Sequence, residues 1–177
     1  IPAAAIEGIA DTLKTRWIGQ GPKVEEFERR FPEAIGSDQS AIAVGSCTDA
    51  LHLSYILSDL KAGDEVIVPV FTCTATNIPL LYHGIKIRVA DVQPQTMNMC
   101  PEHVRSLVTD RTKAIVCVHY GGLPCDMDEL QAIATECCVP VIEDSAQAVG
   151  ASYTGKPVGA ISEFTAVSFQ AIKHITT

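Results

Sequence analysis

Lys173 stands in the apolar run FQAIKHI, five residues after Ser168, in a segment (164–177) that passes from a strand pattern into a loop. A lysine in such surroundings has its ammonium destabilised, which favours the neutral amine that attacks a carbonyl carbon. The spacing lets one residue of the pair touch a phosphate while the other reaches an aldehyde. Two further segments carry matching chemistry. GSCTDAL (45–51) is a turn that opens a helix, and the unpaired amides of a helix start, aided by its dipole, bind phosphate without a cation. Thr48 adds a hydroxyl; Asp49 suits a first helical turn but repels a dianion, so its side chain should point away from the ligand. VPVIEDSAQAVG (139–150) ends an apolar strand pattern with two acids. A buried carboxylate is costly unless it meets a cation or several donors, so Asp144 needs a partner.

Each segment also has a plainer reading. Ser46 or Thr48 caps a helix, Asp144 caps the helix after it, and a lone lysine snorkels at the surface. Taken together they describe one ligand with a phosphate, an aldehyde and a cationic ring nitrogen, which is pyridoxal 5'-phosphate (PLP). Lys173 is then the Schiff-base lysine. Asp144 is the carboxylate that keeps the pyridine nitrogen protonated, so that the ring acts as an electron sink. Gln147, three residues on, reaches a ring substituent from the same turn. His119 and Tyr120 end the run KAIVCV and are candidates for the substrate pocket, the alternative being a histidine simply held by packing.

The elements that must position these residues follow from periodicity. Ile6, Ile9, Ala10, Leu13 and Trp17 fall at helical spacing before Gly19, Gly21 and Pro22 break the pattern. A second short helix carries Val24, Phe27 and Phe31 on one face, and Pro32 is expected to stop it. Five apolar runs then read as strands: 41–44, 65–70, 85–90, 113–118 and 139–144. Helices are expected at about 49–60, 74–83, 101–108 and 127–138, the last opened by a capping box of Asp126 and Glu129. Alternation of near-continuous apolar strands with helices implies an α/β three-layer sandwich with a mostly parallel central sheet. Ligands of such sheets sit at the carboxyl ends of the strands, where the three segments lie.

Bulk properties narrow the functions. The net charge of −8 over 177 residues, with scattered basic residues, argues against nucleic acid. No apolar run is long enough to span a bilayer and the first residues do not form a signal peptide, so a cytoplasmic protein is expected. The seven cysteines (47, 73, 100, 117, 125, 137 and 138) include no pair at CxxC spacing, so the sequence suggests reduced thiols and neither a disulfide framework nor a metal site.

Seven ordered segments resemble the DegT/DnrJ/EryC1/StrS family of sugar aminotransferases, PLP enzymes of fold type I: GPKVEEFE (21–28), GSCTDALHL (45–53), AGDEVIVPVFT (62–72), DRTKAIVCVHYGG (110–122), DMDEL (126–130), VIEDSAQAVGASYTGKPVG (141–159) and SFQAIK (168–173). The resemblance implies that Lys173 is the family's covalent lysine and that Asp144 faces the pyridine nitrogen. It places Gln147 by the ring hydroxyl, and Ser168 with the Cys47–Thr48–Asp49 turn by the phosphate. Trp17, Gly19 and Gln20 resemble a substrate-side loop. Cys73 occupies the position where the family commonly stacks an aromatic ring on the cofactor, so a softer and smaller cover and weaker cofactor retention are expected.

The implied activity is transfer of an amino group, with glutamate as the amino-acid donor, to a nucleotide-linked keto-deoxysugar. The implied assembly is a homodimer. Because the family continues with a Gly-rich segment and a small C-terminal domain, residues 1–177 are read as an incomplete large domain. The alternatives are a sugar dehydratase of the same family, in which histidine replaces the lysine, and a non-catalytic regulator that keeps the fold.

Overall fold

A computed structural model describes residues 2–175. Helices α1 (Ala3–Thr15) and α2 (Pro22–Ile35) lead to α3 (Cys47–Leu57), and strands and helices then alternate: β1 (Glu65–Pro69), α4 (Thr74–Tyr82), β2 (Lys86–Ala90), α5 (Pro101–Leu107), β3 (Thr112–Val118), α6 (Met127–Cys137) and β4 (Val141–Asp144). A short hairpin of β5 (Ser152–Tyr153) and β6 (Lys156–Pro157) precedes β7 (Phe164–Ala166). The central sheet has the order β2-β1-β3-β4-β7 and every pairing in it is parallel. Among the described residues, no helix is long and apolar enough to cross a membrane.

The strands are apolar throughout because both faces of the sheet are covered, and the two-residue period sorts their side chains into two cores. Ile67, Ile115, Cys117 and Val141 pack with Val104 of α5 and Met127, Leu130 and Ile133 of α6. Val66, Val68, Ala114, Val116 and Ile142 point the other way, onto Leu51 and Tyr55 of α3 and Leu80 of α4. This is the three-layer sandwich expected from the alternation. At the amino ends of the strands, buried Glu65 is fixed by Arg111 and by the hydroxyl of Thr109, 2.8 Å away. The Arg111 guanidinium and Thr109 hold its carboxyl below the usual carboxylate range.

Three local expectations are corrected. Residues 41–44 form no strand; the Ala43 amide donates to the Glu28 carboxylate (2.7 Å) and its carbonyl accepts from Gln20, so side chains take the bonds a ladder would make. The fifth strand is β7 instead. Pro32 does not end α2, which runs to Ile35 and closes on Gly36 in the left-handed conformation (φ 74°). A proline one turn from the end removes only the bond to the carbonyl four residues back. The capping box at α6 does not form either: Asp126 makes no side-chain cap and instead accepts from Gln93 Nε2 at 2.8 Å.

Candidate active site

Strand order reverses between β1 and β3, since β1 is followed by β2 on one side and later by β3 on the other. In open α/β sheets such a switch point opens a crevice beyond the carboxyl ends of the strands. A cleft of about 1310 Å³ lies there, lined by the chain segments that follow β1, β3, β4 and β7 and by the start of α3. Cys47, Thr48, Cys73, Tyr120, Asp144, Gln147, Ser168 and Lys173 all border it. Residues separated by up to 126 positions, Cys47 to Lys173, thus share one cavity.

Asp144 is the last residue of β4 and is 4% exposed. Its Oδ2 accepts a hydrogen bond from Thr76 Oγ1 at 2.7 Å and its Oδ1 accepts from the Ala146 amide at 3.1 Å. Because a carboxylate only accepts, the Thr76 hydroxyl is committed to it, and the Thr72 hydroxyl, 2.7 Å from Thr76 Oγ1, becomes the donor to Thr76. Tyr55 Oη closes the network by donating to the Thr76 carbonyl at 2.8 Å, its phenol pushed up by burial and then by the Asp144 charge. Among the described residues no cationic side chain forms a salt bridge with this carboxylate. A buried anion so placed has an unmet demand for positive charge on its cavity side.

At the start of α3, Ser46 is the N-cap: its Oγ accepts from the Asp49 amide (3.1 Å) and donates to Asp49 Oδ2 (2.9 Å). The capping reading of Ser46 therefore holds. It also turns the Asp49 carboxylate back onto the turn, and Asp49 does not border the cleft. Cys47 and Thr48 are left as the first two helical residues, whose amides have no intrahelical acceptor. Burial and the neighbouring Asp144 charge push the Cys47 thiol up to about 12, so it is a neutral, packed group.

Ser168 is buried two residues beyond the end of β7, and half-buried Lys173 closes a turn in which its amide donates to the Gln170 carbonyl (2.8 Å). The expected apolar enclosure of the lysine is only partly met: Ile172 is 82% exposed and Ile175 51% exposed. The loop is anchored instead by Phe169, whose ring meets Phe27 and Phe31 of α2 edge-on at 5.1 and 5.2 Å. Gln147 bonds through Oε1 to the Gly121 amide at 2.9 Å. This contact depends on Gly122, at φ 87°, where a Cβ would stand 2.9 Å from the Gln147 carbonyl.

His119 does not line the cleft. It is fully buried, with Nε2 2.7 Å from Glu143 Oε2, and packing is therefore its observed state, while Tyr120 does reach the cavity. Trp17, Gly19 and Gln20 also lie off the cleft; Trp17 folds back so that its Nε1 donates to the Gln20 carbonyl. Cys73 is exposed at the cleft, and an aromatic pair absent from the sequence reading, Phe71 with Tyr120 (centroids 4.8 Å apart), borders the same space. Thr76 was missed as well, because a threonine inside a helical pattern carries no signal of a partner 68 residues away.

The model of the DegT/DnrJ/EryC1/StrS aminotransferase family matches residues 1–177. The spore coat polysaccharide biosynthesis protein SpsC of Bacillus subtilis is 39% identical over 172 residues, which is 97% of this chain and 44% of SpsC. Spr1654 of Streptococcus pneumoniae, solved in PLP, PMP and apo forms, superposes with a TM-score of 0.95 at 32% identity, covering 99% of this chain and 48% of that one. GDP-4-keto-6-deoxymannose-3-dehydratase (ColD), solved as an H188N mutant with GDP-perosamine, superposes with a TM-score of 0.90 at 29% identity, covering 97% and 47%. The chain spans less than half the length of the curated relatives it matches.

Proposed function

The chain belongs to the DegT/DnrJ/EryC1/StrS aminotransferase family, and on that premise we propose that its parent protein is a PLP-dependent aminotransferase that moves an amino group from glutamate to a nucleotide-linked keto-deoxysugar. The observation that carries this reading is the cleft that joins Lys173, the start of α3 and the buried Asp144, which has no salt-bridge partner among the described residues. These residues fit the cofactor: an anion that needs positive charge, a helix start that suits a phosphate and a lysine amine in one cavity. A cleft of about 1310 Å³ also leaves room beyond a cofactor for a large polar substrate.

PLP, when bound, supplies the electron sink for charge left at the carbon that carries the amino group. Asp144 would hold the proton on the ring nitrogen, and Thr76 would keep the Asp144 carboxylate oriented. Cys47, Thr48 and Ser168 would hold the phosphate, with Gln147 by the ring hydroxyl and Cys73 on the ring's open side. Lys173 would hold the cofactor aldehyde between turnovers and carry the proton on and off the substrate carbon through Nζ. The dehydratase reading, motivated by the ColD likeness, is disfavoured by a lysine at position 173. We also propose that residues 1–177 are the incomplete large domain of a homodimeric enzyme.

The test is to incubate the full-length protein with amino-labelled glutamate and a panel of nucleotide-linked keto-deoxysugars. Label arriving on the sugar supports the proposal. Loss of a sugar hydroxyl without gain of nitrogen would select the dehydratase reading, and no turnover of any sugar would select the regulator.

A further inference from the structure

On the face of the sheet away from α3 and α4, three donor atoms meet that the cleft does not use. Cys117 and His119 lie two residues apart in and just beyond β3 and so share a face, and Cys125 reaches them from the loop before α6. One ligand atom of each lies within 4.8 Å of the others, and all three residues are buried.

The histidine is prepared for this arrangement. Its Nε2 is bound to Glu143 Oε2 at 2.7 Å, while its Nδ1 accepts the Cys125 amide at 3.1 Å. An Nδ1 that accepts is unprotonated, so the neutral tautomer donates from Nε2 to the carboxylate. A metal-bound histidine shows this same pattern, with the second ring nitrogen given to a carboxylate that fixes orientation and raises basicity. Glu143 is itself held: its Oε1 accepts the Ser162 amide at 2.8 Å. The Cys117 thiol also meets the Met127 sulfur at 3.9 Å.

We propose that Cys117, His119 and Cys125 form a buried structural site for a divalent, thiolate-seeking cation of the zinc class. Zinc ligands at about 2.3 Å for sulfur and about 2.1 Å for nitrogen sit roughly 3.5 Å apart in a tetrahedral shell, and the three donor atoms here already lie within 4.8 Å of one another. Charge selects the ion. Binding replaces the two thiol protons, which leave to solvent, and a dication with two thiolates and a neutral imidazole carries no net charge. A monovalent ion would leave an anion beside the Glu143 carboxylate in an apolar core. The Cys125 amide, freed from Nδ1, can then donate to a thiolate. The site would tie the end of β3 to the loop before α6, on the strand next to Asp144. It is independent of the proposed reaction.

The experiment uses the full-length protein, loaded with zinc chloride, desalted and analysed for metal by mass spectrometry and for ligand type by zinc-edge X-ray absorption. His52 and His83, whose Nε2 atoms lie 2.6 Å apart between α3 and α4, could hold zinc at the surface, so a His52→Ala/His83→Ala variant is measured beside the wild type. We expect about one retained zinc per chain in both proteins, with two sulfurs in its shell. Cys117→Ser and Cys125→Ser should each lower retention at least tenfold. The X-ray spectrum of the wild type decides the matter even if those variants fail to fold. No retained zinc, a shell of nitrogen and oxygen only, or loss of zinc in the double histidine variant would overturn the proposal.

Discussion

Thr76 Oγ1 donates to Asp144 Oδ2 at 2.7 Å, across 68 residues of sequence and between the first turn of α4 and the end of β4. This bond makes the orientation of the proposed pyridine partner a property of the fold rather than of one side chain. A hydrogen bond to a charged group contributes about 1.5 to 3 kcal/mol. If the full-length protein has the proposed activity, Thr76→Val is expected to lower its turnover roughly tenfold, and Thr76→Ser to restore most of it. Steady-state kinetics of the pair, with PLP affinity measured in parallel, checks this.

Asp144→Asn keeps the shape and the Ala146 bond but removes the negative charge. Transamination is expected to fall by roughly 100-fold or more while the circular dichroism spectrum is unchanged. Near-normal turnover would reduce Asp144 to a local cap.

How much of this was legible in the sequence follows from what each signal depends on. The sandwich was readable because doubly covered strands are apolar along their whole length, as in EVIVP and TKAIVCV. Residues 41–44 share that composition but take their bonds from Glu28 and Gln20, and composition cannot tell a ladder from side-chain partners. In the site, Asp144, Ser168 and Lys173 stood out as polar groups in apolar strand-end segments. Thr76 and Phe71 did not, because their partners are distant in sequence, and His119 looked like a pocket residue because its burial by Glu143 is a tertiary fact.

The loop that carries Lys173 is anchored by Phe169 between Phe27 and Phe31. Phe169→Ala removes both edge-on contacts and should cost about 2 kcal/mol of local order. Weaker PLP binding, by roughly tenfold, is expected together with a smaller loss of thermal stability. Fluorescence titration with PLP and a thermal melt separate the two effects.

The two cleft cysteines should differ in reactivity. Cys73 is exposed, whereas Cys47 is partly buried with its thiol raised to about 12. A raised pKa means less thiolate at any pH below it, so near pH 8 Cys47 should alkylate far more slowly than Cys73. Bound PLP should protect both. Mass spectrometry of iodoacetamide-treated protein, with and without PLP, gives the order directly.

On the proposed reading, Lys173 holds the cofactor. Reduction of the PLP-loaded full-length protein with borohydride, followed by proteolysis and peptide mapping, is the most direct test. One phosphopyridoxyl group is expected, carried by Lys173; a label on Lys113 or Lys156, or no covalent label at all, would show that Lys173 does not hold the cofactor.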